Sequence, residues 1–263
     1  MNQEECYDKI WEKSKLVEIP STNFYIRVLK EERRFQVLKC NTLGECRALP
    51  CCGNSRLCGV IYEKFQFIDK LFAVQYYIPL SRPRGIKPSC ITYLINSMKT
   101  MATNRFYAVY GRVIAYLMTE LFDLYDELKQ SDVLVYVPCH EREYRYIVED
   151  ERICIALDGR RVDHIQYLAK IISTNTGKPL YDVIGKRRPC RMHYLKREQR
   201  SEMVKNLYFI KNDELCKHLS GKTVVLIDDV LTTGATMEEI AKLLKQRCNV
   251  KHIYGLVAGR TIF

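Results

Sequence analysis

The stretch VVLIDDVLTTGAT, residues 224–236, decides how the rest of the chain is read. Its four leading apolar residues fit a central strand buried on both faces. Asp228 and Asp229 follow at once, then Thr232, Thr233, Gly234, Ala235 and Thr236. A strand end needs no paired acids, and an ordinary turn does not need so many hydroxyls around one glycine. From residue 236 the pattern TMEEIAKLLKQRC predicts a helix to 248, so the loop leads into a helix N-terminus. Such a terminus offers unpaired N–H groups and the positive end of a dipole, which together attract an anion.

Gly234 lets the backbone approach a ligand closely, and the three threonines add hydroxyl donors. Hydrogen bonds to a charged group contribute about 1.5–3 kcal/mol each, so several together hold a phosphate well. The acids would repel that phosphate if they faced it, whereas carboxylates accept hydrogen bonds from sugar hydroxyls. Acids on one side and phosphate donors on the other describe a cradle for ribose 5-phosphate. The plainer alternative makes Thr236 an N-cap and the Asp pair a solvated turn. Capping needs one such residue, and this loop has five polar groups.

Working outward, apolar residues from Phe106 through Val113, Leu117 and Leu121 to Leu128 recur every three or four positions. They predict a long amphipathic helix capped by Thr103 or Asn104. Strands are expected at 132–138, 180–184, 223–228 and 252–258, and further helices at 162–177 and 212–219. Gly177 and Pro179 stop the first of these two helices. Strands alternating with helices argue for an α/β fold with a parallel sheet covered on both faces. Ligands of such sheets sit at the carboxyl ends of the strands, where Asp228 and Asp229 fall. Residues 1–80 carry short β-like runs at 24–29, 35–38 and 72–78 and form an N-terminal region. Residues 81–102 serve as linker and lead-in, and 103–263 form the α/β domain.

Lys and Arg number 42 against 31 acids, a net charge of +11 that favours anionic partners: phosphorylated metabolites, nucleic acid or acidic membrane. The N-terminus has no apolar signal-peptide core, and no stretch approaches the ~20 apolar residues of a membrane span. A cytoplasmic protein without a membrane partner is expected. Its twelve cysteines are then read as thiols or metal ligands rather than a disulfide framework. Cys40, Cys46, Cys51, Cys52 and Cys58 crowd into one short segment. Four thiolates there make a structural Zn²⁺ site; the alternative is a packed knuckle of reduced thiols. Cys139, Cys154, Cys190, Cys216 and Cys248 are scattered and read as structural.

VVLIDDVLTTGAT resembles the phosphoribosyl pyrophosphate (PRPP) loop of type I phosphoribosyltransferases. The likeness is nearest to the ComF-like, amidophosphoribosyltransferase-like group, which carries an N-terminal cysteine cluster. ITYLINSMKT, ending near Lys99, resembles the stretch before the first core helix, and DVLVYVPCH the strand leading to the pyrophosphate loop. HIQYLAKII resembles the helix after that loop, and KRRPCRMHYLKREQRSEMVKNLYF the basic mobile segment. The resemblance implies a type I phosphoribosyltransferase core with a small N-terminal Cys-rich domain. It also implies that Asp228 and Asp229 take the ribose hydroxyls, that Thr232 to Thr236 wrap the 5-phosphate, and that Mg²⁺ rides on the pyrophosphate. Lys99, Cys139 and His140 then join the PRPP site, the latter two at the start of the pyrophosphate loop; the alternative for His140 is a surface histidine.

The run 185–200 holds seven Lys or Arg and one acid. Folded over PRPP, it would neutralise the departing pyrophosphate, with Arg187, Arg188 and Arg191 as the candidate groups. The alternatives are a solvated basic loop or a nucleic-acid surface. The chain departs from the family pattern after His140, where EREYRYIVEDERICIALDGRR intervenes and Asp163-His164 replace Asn-Gln. The expected activity is therefore transfer of ribose 5-phosphate from PRPP to a nitrogen acceptor. Two readings compete with it: a nucleic-acid-binding or regulatory protein that senses PRPP, and, less well supported, a PRPP synthetase-like diphosphokinase. A homo-oligomer is left open.

Overall fold

The computed structural model describes residues 14–19, 24–29, 38–41, 46–47, 65–77, 90–100, 106–139, 146–149, 152–155, 163–189 and 203–261. Its strands are β1 (Ser14–Ile19), β2 (Phe24–Leu29), β3 (Leu38–Asn41), β4 (Cys46–Arg47), β5 (Lys70–Tyr77), β6 (Val133–Tyr136), β7 (Tyr146–Glu149), β8 (Arg152–Ile155), β9 (Leu180–Tyr181), β10 (Ile184–Lys186), β11 (Tyr208–Ile210), β12 (Thr223–Leu231) and β13 (His252–Thr261). The helices are α1 (Cys90–Thr100), α2 (Phe106–Leu124), α3 (Asp126–Lys129), α4 (His164–Thr176), α5 (Asp213–His218) and α6 (Ala235–Cys248).

Seven strands form one sheet in the order β4-β3-β5-β13-β12-β6-β9. From β5 to β9 all neighbours are parallel, while β3 joins β5 antiparallel and carries β4 on its outer side. Hydrophobicity explains why β12 lies inside: Val224, Val225, Leu226 and Ile227 are fully buried, as a strand covered on both faces must be. The sheet is the mostly parallel α/β arrangement expected. Three antiparallel ribbons stand apart from it: β1-β2, β7-β8 and β10-β11.

Several expectations shift in detail. Residues 90–100, placed in the lead-in, form helix α1, whose Ile91, Ile95 and Met98 are buried at helical spacing. The single strand expected at 180–184 is two: β9 joins the main sheet, and β10 pairs with β11. The long helix breaks at Tyr125, which adopts an extended conformation before the short α3. Its expected caps, Thr103 and Asn104, lie outside the described residues. The helix expected at 162–177 begins at His164, with Asp163 as its cap, and Gly177 closes it in the left-handed conformation, as expected. Cys216 and Cys248, read as separate thiols, are joined in a disulfide that ties α5 to the end of α6. The two lie 32 residues apart, and neither spacing nor periodicity signals such a pairing.

β5 sits in the middle of the sheet, between β3 and β13. Its Phe72 is wholly buried, 4.8 Å from the ring of Tyr125 and 6.3 Å from that of Tyr254. Phe72→Ala should therefore cost about 3–5 kcal/mol, the usual loss for a large core aromatic. Urea denaturation followed by circular dichroism measures it; a loss below about 1 kcal/mol would show that β5 contributes little to the core.

Candidate functional site

The strand order reverses around β6. The chain passes from β6 through α4 to β9 on one side, then returns to place β12 on the other. Such a reversal opens a crevice at the carboxyl ends of the two strands, where ligands of open α/β sheets bind. The pairing shows where it opens. β6 accompanies β12 only as far as Tyr136 opposite Ile227, whereas β13 follows it to Leu231. Asp228 and Asp229 are thus held by β13 on one side and face the crevice on the other.

Both acids are buried, at 9% and 5% exposure, which rules out a solvated turn. The amide of Asp229 donates to Asp228 Oδ1 at 2.8 Å. Lys99 Nζ, from the end of α1, lies 2.5 Å from Asp229 Oδ2. His164 Nε2, from the first residue of α4, lies 2.8 Å from the same oxygen. The two carboxyls consequently diverge. Burial and the adjacent Asp229 charge push Asp228 well above the usual carboxylate range. Burial alone would push Asp229 the same way, but Lys99 and His164 outweigh it and hold Asp229 well below that range. Lys99 is correspondingly kept charged: burial opposes its charge, and Asp229 more than offsets that. The pair carries one firmly fixed negative charge, on Asp229.

Beyond Leu231 the chain turns through Thr232 and Thr233 into α6. Asp228, Val230, Leu231, Thr232, Thr233, Gly234, Ala235, Thr236 and Met237 line a concavity at the start of that helix. Gly234, and not Thr236, is the N-cap and has no side chain to offer, while Thr233 Oγ1 accepts from the amide of Ala235 at 3.4 Å. The first-turn residues Ala235, Thr236 and Met237 line the concavity, where a helix N-terminus offers donors to an anion. Glycine is required at 234 on two counts. Its φ is +79°, and a Cβ there would stand 2.3 Å from the ring of Phe65. The same segment reaches the helix again through Phe67, whose amide donates to Glu238 Oε1 at 2.9 Å, alongside the amide of Gln66. Glu238, the acid of the first turn, is thereby engaged away from the loop.

The opposite wall of the crevice follows β6. Pro138 is buried, and Cys139 is half-buried with its thiol pushed well up by burial and by Asp163. Asp163 is buried and bonds in both directions. Its Oδ1 accepts from the amides of Ile165 and Gln166, each at 3.0 Å, and its Oδ2 from the amide of Cys139 at 3.3 Å. Lys186 of β10 acts electrostatically on Cys139, which places a cation beside this wall. Neither His164 nor Lys186 was singled out by sequence as a site residue. Only the replacement of Asn-Gln by Asp163-His164 marked the first.

Of the expected site residues, the fold gathers Asp228, Asp229, Lys99 and Cys139 around the crevice, with 232–236 at its edge. Arg187 and Arg188 are exposed, and the Arg187 guanidinium stacks 5.0 Å over the Phe209 ring, at the base of the β10-β11 ribbon. Arg191 and His140 lie outside the described residues. So do Cys51, Cys52 and Cys58, while Cys40 and Cys46 stand opposite each other in the β3-β4 register. Among the described residues, no three His, Cys, Asp or Glu side chains gather as a metal site. No described helix is long and apolar enough to cross a membrane.

The divergent carboxyls predict opposite effects on stability. Asp228 has a raised folded value, so its favourable contribution is complete below the unfolded value near 3.9 and is lost as pH rises. Asp228→Asn keeps the acceptor oxygen and should stabilise the fold at pH 7 by about 0.5–2 kcal/mol, a gain that vanishes toward pH 4. Asp229 has a depressed folded value, so its contribution is present above the unfolded value and is lost as pH falls through the folded one. Asp229→Asn should destabilise at pH 7. Denaturation of the two variants against pH measures both signs; equal signs at pH 7 would contradict the assignment.

The family model of the phosphoribosyl transferase domain matches residues 182–257. The match takes in β10, β11, α5, β12, α6 and most of β13, and so includes both acids and the whole loop 232–236. No curated protein matches the chain. The match and the parallel sheet agree with a phosphoribosyltransferase core and support phosphoribosyl transfer in general.

Proposed function

We propose that the chain is a Mg²⁺-dependent phosphoribosyltransferase, which takes ribose 5-phosphate from PRPP, passes it to a nitrogen acceptor and releases pyrophosphate. The observation that carries this reading is the juxtaposition of two kinds of site on one strand-to-helix connection. Buried acids suited to hydroxyls stand directly before a glycine-started helix N-terminus suited to phosphate.

In this reading Asp228 and Asp229 accept hydrogen bonds from the ribose hydroxyls, with Asp229 held in place by Lys99. The donors of 232–236 hold the 5-phosphate. The pyrophosphate lies toward Cys139 and His140, with Lys186 on the same wall. As the bond from the anomeric carbon to pyrophosphate breaks, positive charge grows on the sugar and negative charge on the leaving group, and a nitrogen lone pair closes on that carbon. Asp229 supplies negative charge beneath the sugar, and the basic run with Arg187, Arg188 and Arg191 faces the leaving group. Mg²⁺ carried on the pyrophosphate would neutralise part of its charge, and a metal held through substrate phosphates needs no dedicated protein cage. The N-terminal cysteines, with Cys40 and Cys46 opposed in register, are proposed as a structural Zn²⁺ site apart from this chemistry.

Titration calorimetry with PRPP and Mg²⁺ should detect binding to the wild-type chain and lose it by more than tenfold in the Asp228→Ala, Asp229→Ala double variant. Pyrophosphate release across nucleobases, ammonia and nucleic acids then identifies the acceptor. Unchanged PRPP binding in the double variant would refute the reading. Binding without release for any acceptor would favour a PRPP sensor, and salt-sensitive binding of nucleic acid would favour the nucleic-acid alternative.

A further inference from the structure

The acid pair explains one wall of the crevice, yet a second wall reaches across to it. The crossing group is His164, and three contacts fix where its ring stands. Asp163 caps α4 through Ile165 and Gln166, so the first turn of that helix is anchored at the position preceding His164. The other oxygen of Asp163 receives the amide of Cys139. One carboxylate therefore links the end of the β6 wall to the first turn of α4. Finally, His164 Nε2 meets Asp229 Oδ2 at 2.8 Å, on the oxygen already approached by Lys99 at 2.5 Å.

A carboxylate pinned by one flexible lysine can still rotate about its last torsion. Two donors from different helices, converging on one oxygen, stop that rotation and leave the other oxygen with a defined direction. Ordering the acceptor before the ligand arrives removes a cost that binding would otherwise meet. The half-buried position of His164, at 13% side-chain exposure, keeps competing water scarce.

We propose that His164 is a positioning residue of the sugar site: with Lys99 it clamps Asp229 Oδ2, so that Oδ1 is presented to a ribose hydroxyl. This rests on the reading of the acids as the ribose-binding pair. A different role is distinguishable, namely a latch in which the His164–Asp229 contact shuts the crevice. The two roles differ in sign, since removing a clamp weakens sugar binding and removing a latch strengthens it.

The test compares His164→Gln, which retains a side-chain N–H donor, with His164→Leu, which fills similar volume without one. PRPP binding with Mg²⁺ is measured by calorimetry, and inorganic phosphate binding by phosphorus NMR. A hydrogen bond to a charged group at about 1.5–3 kcal/mol corresponds to a roughly ten- to hundredfold loss of PRPP affinity in His164→Leu. His164→Gln should stay within about threefold of wild type, and phosphate binding should hold in both, because residues 232–236 are untouched. Wild-type affinity in His164→Leu overturns the proposal, and tighter binding replaces it with the latch. Equal losses for PRPP and phosphate show general damage and overturn it too. If the wild-type chain binds no PRPP, the parent reading fails and takes this inference with it. If wild type binds, the acid double variant does not, and His164→Leu behaves as wild type, only the inference fails.

Discussion

Two carboxylates side by side in a buried place repel each other, and neither has much water to spread its charge. Asp228 and Asp229 coexist because Lys99 brings positive charge, and Lys99 and His164 together bring hydrogen bonds, to one of them. Much of the architecture follows from that requirement. Lys99 reaches the pair because α1 packs its Ile91, Ile95 and Met98 into the core against β5 and β13, and its long side chain spans the rest. His164 reaches it only because Asp163 starts α4 at that point. The acids therefore act as a hub on which α1, α4 and β12 must agree in position.

The loop proposed to hold phosphate is built on a different principle. That role needs backbone donors with a fixed direction and no side chain in the way. Gly234 supplies the positive φ, and Phe65 fills the space that any Cβ would have taken. Glu238 would oppose an anion if it faced the loop, and the amides of Gln66 and Phe67 draw it aside. The segment before β5 thus serves the loop although it lies some 170 residues earlier in the chain.

Local patterns made much of this legible. The apolar run 224–227, the three- and four-residue spacing from Phe106 to Leu124, and the Gly177 signal at the end of α4 all state their structure within a few residues. The loop 232–236, the proposed phosphate site, was legible as a run of contiguous donors. What escaped was non-local. Neither the union of β5 with β13, nor the disulfide between Cys216 and Cys248, nor the meeting of His164 with Asp229 leaves a periodic trace. The end of β12 was also misplaced, because two acids read as a strand terminus, whereas β13 continues to pair with it as far as Leu231. A charged residue can stay inside a strand when its partner arrives from another element, and sequence order does not display that partner.

Long-range charge and local hydrogen bonding select different things. With a net charge of +11, the chain attracts polyanions of any kind at long range. At the acid pair the charges cancel locally, because Lys99 stands against Asp229. What the acids add is acceptors. With Lys99 and His164 on one oxygen of Asp229, the acceptor positions left on the pair suit a group that donates. A bare phosphate or pyrophosphate, which chiefly accepts, cannot use them, whereas the hydroxyls of a sugar can. In the proposed reading, preference for a phosphate attached to a diol therefore comes from acceptors that only a hydroxyl satisfies, and long-range charge contributes attraction without that discrimination.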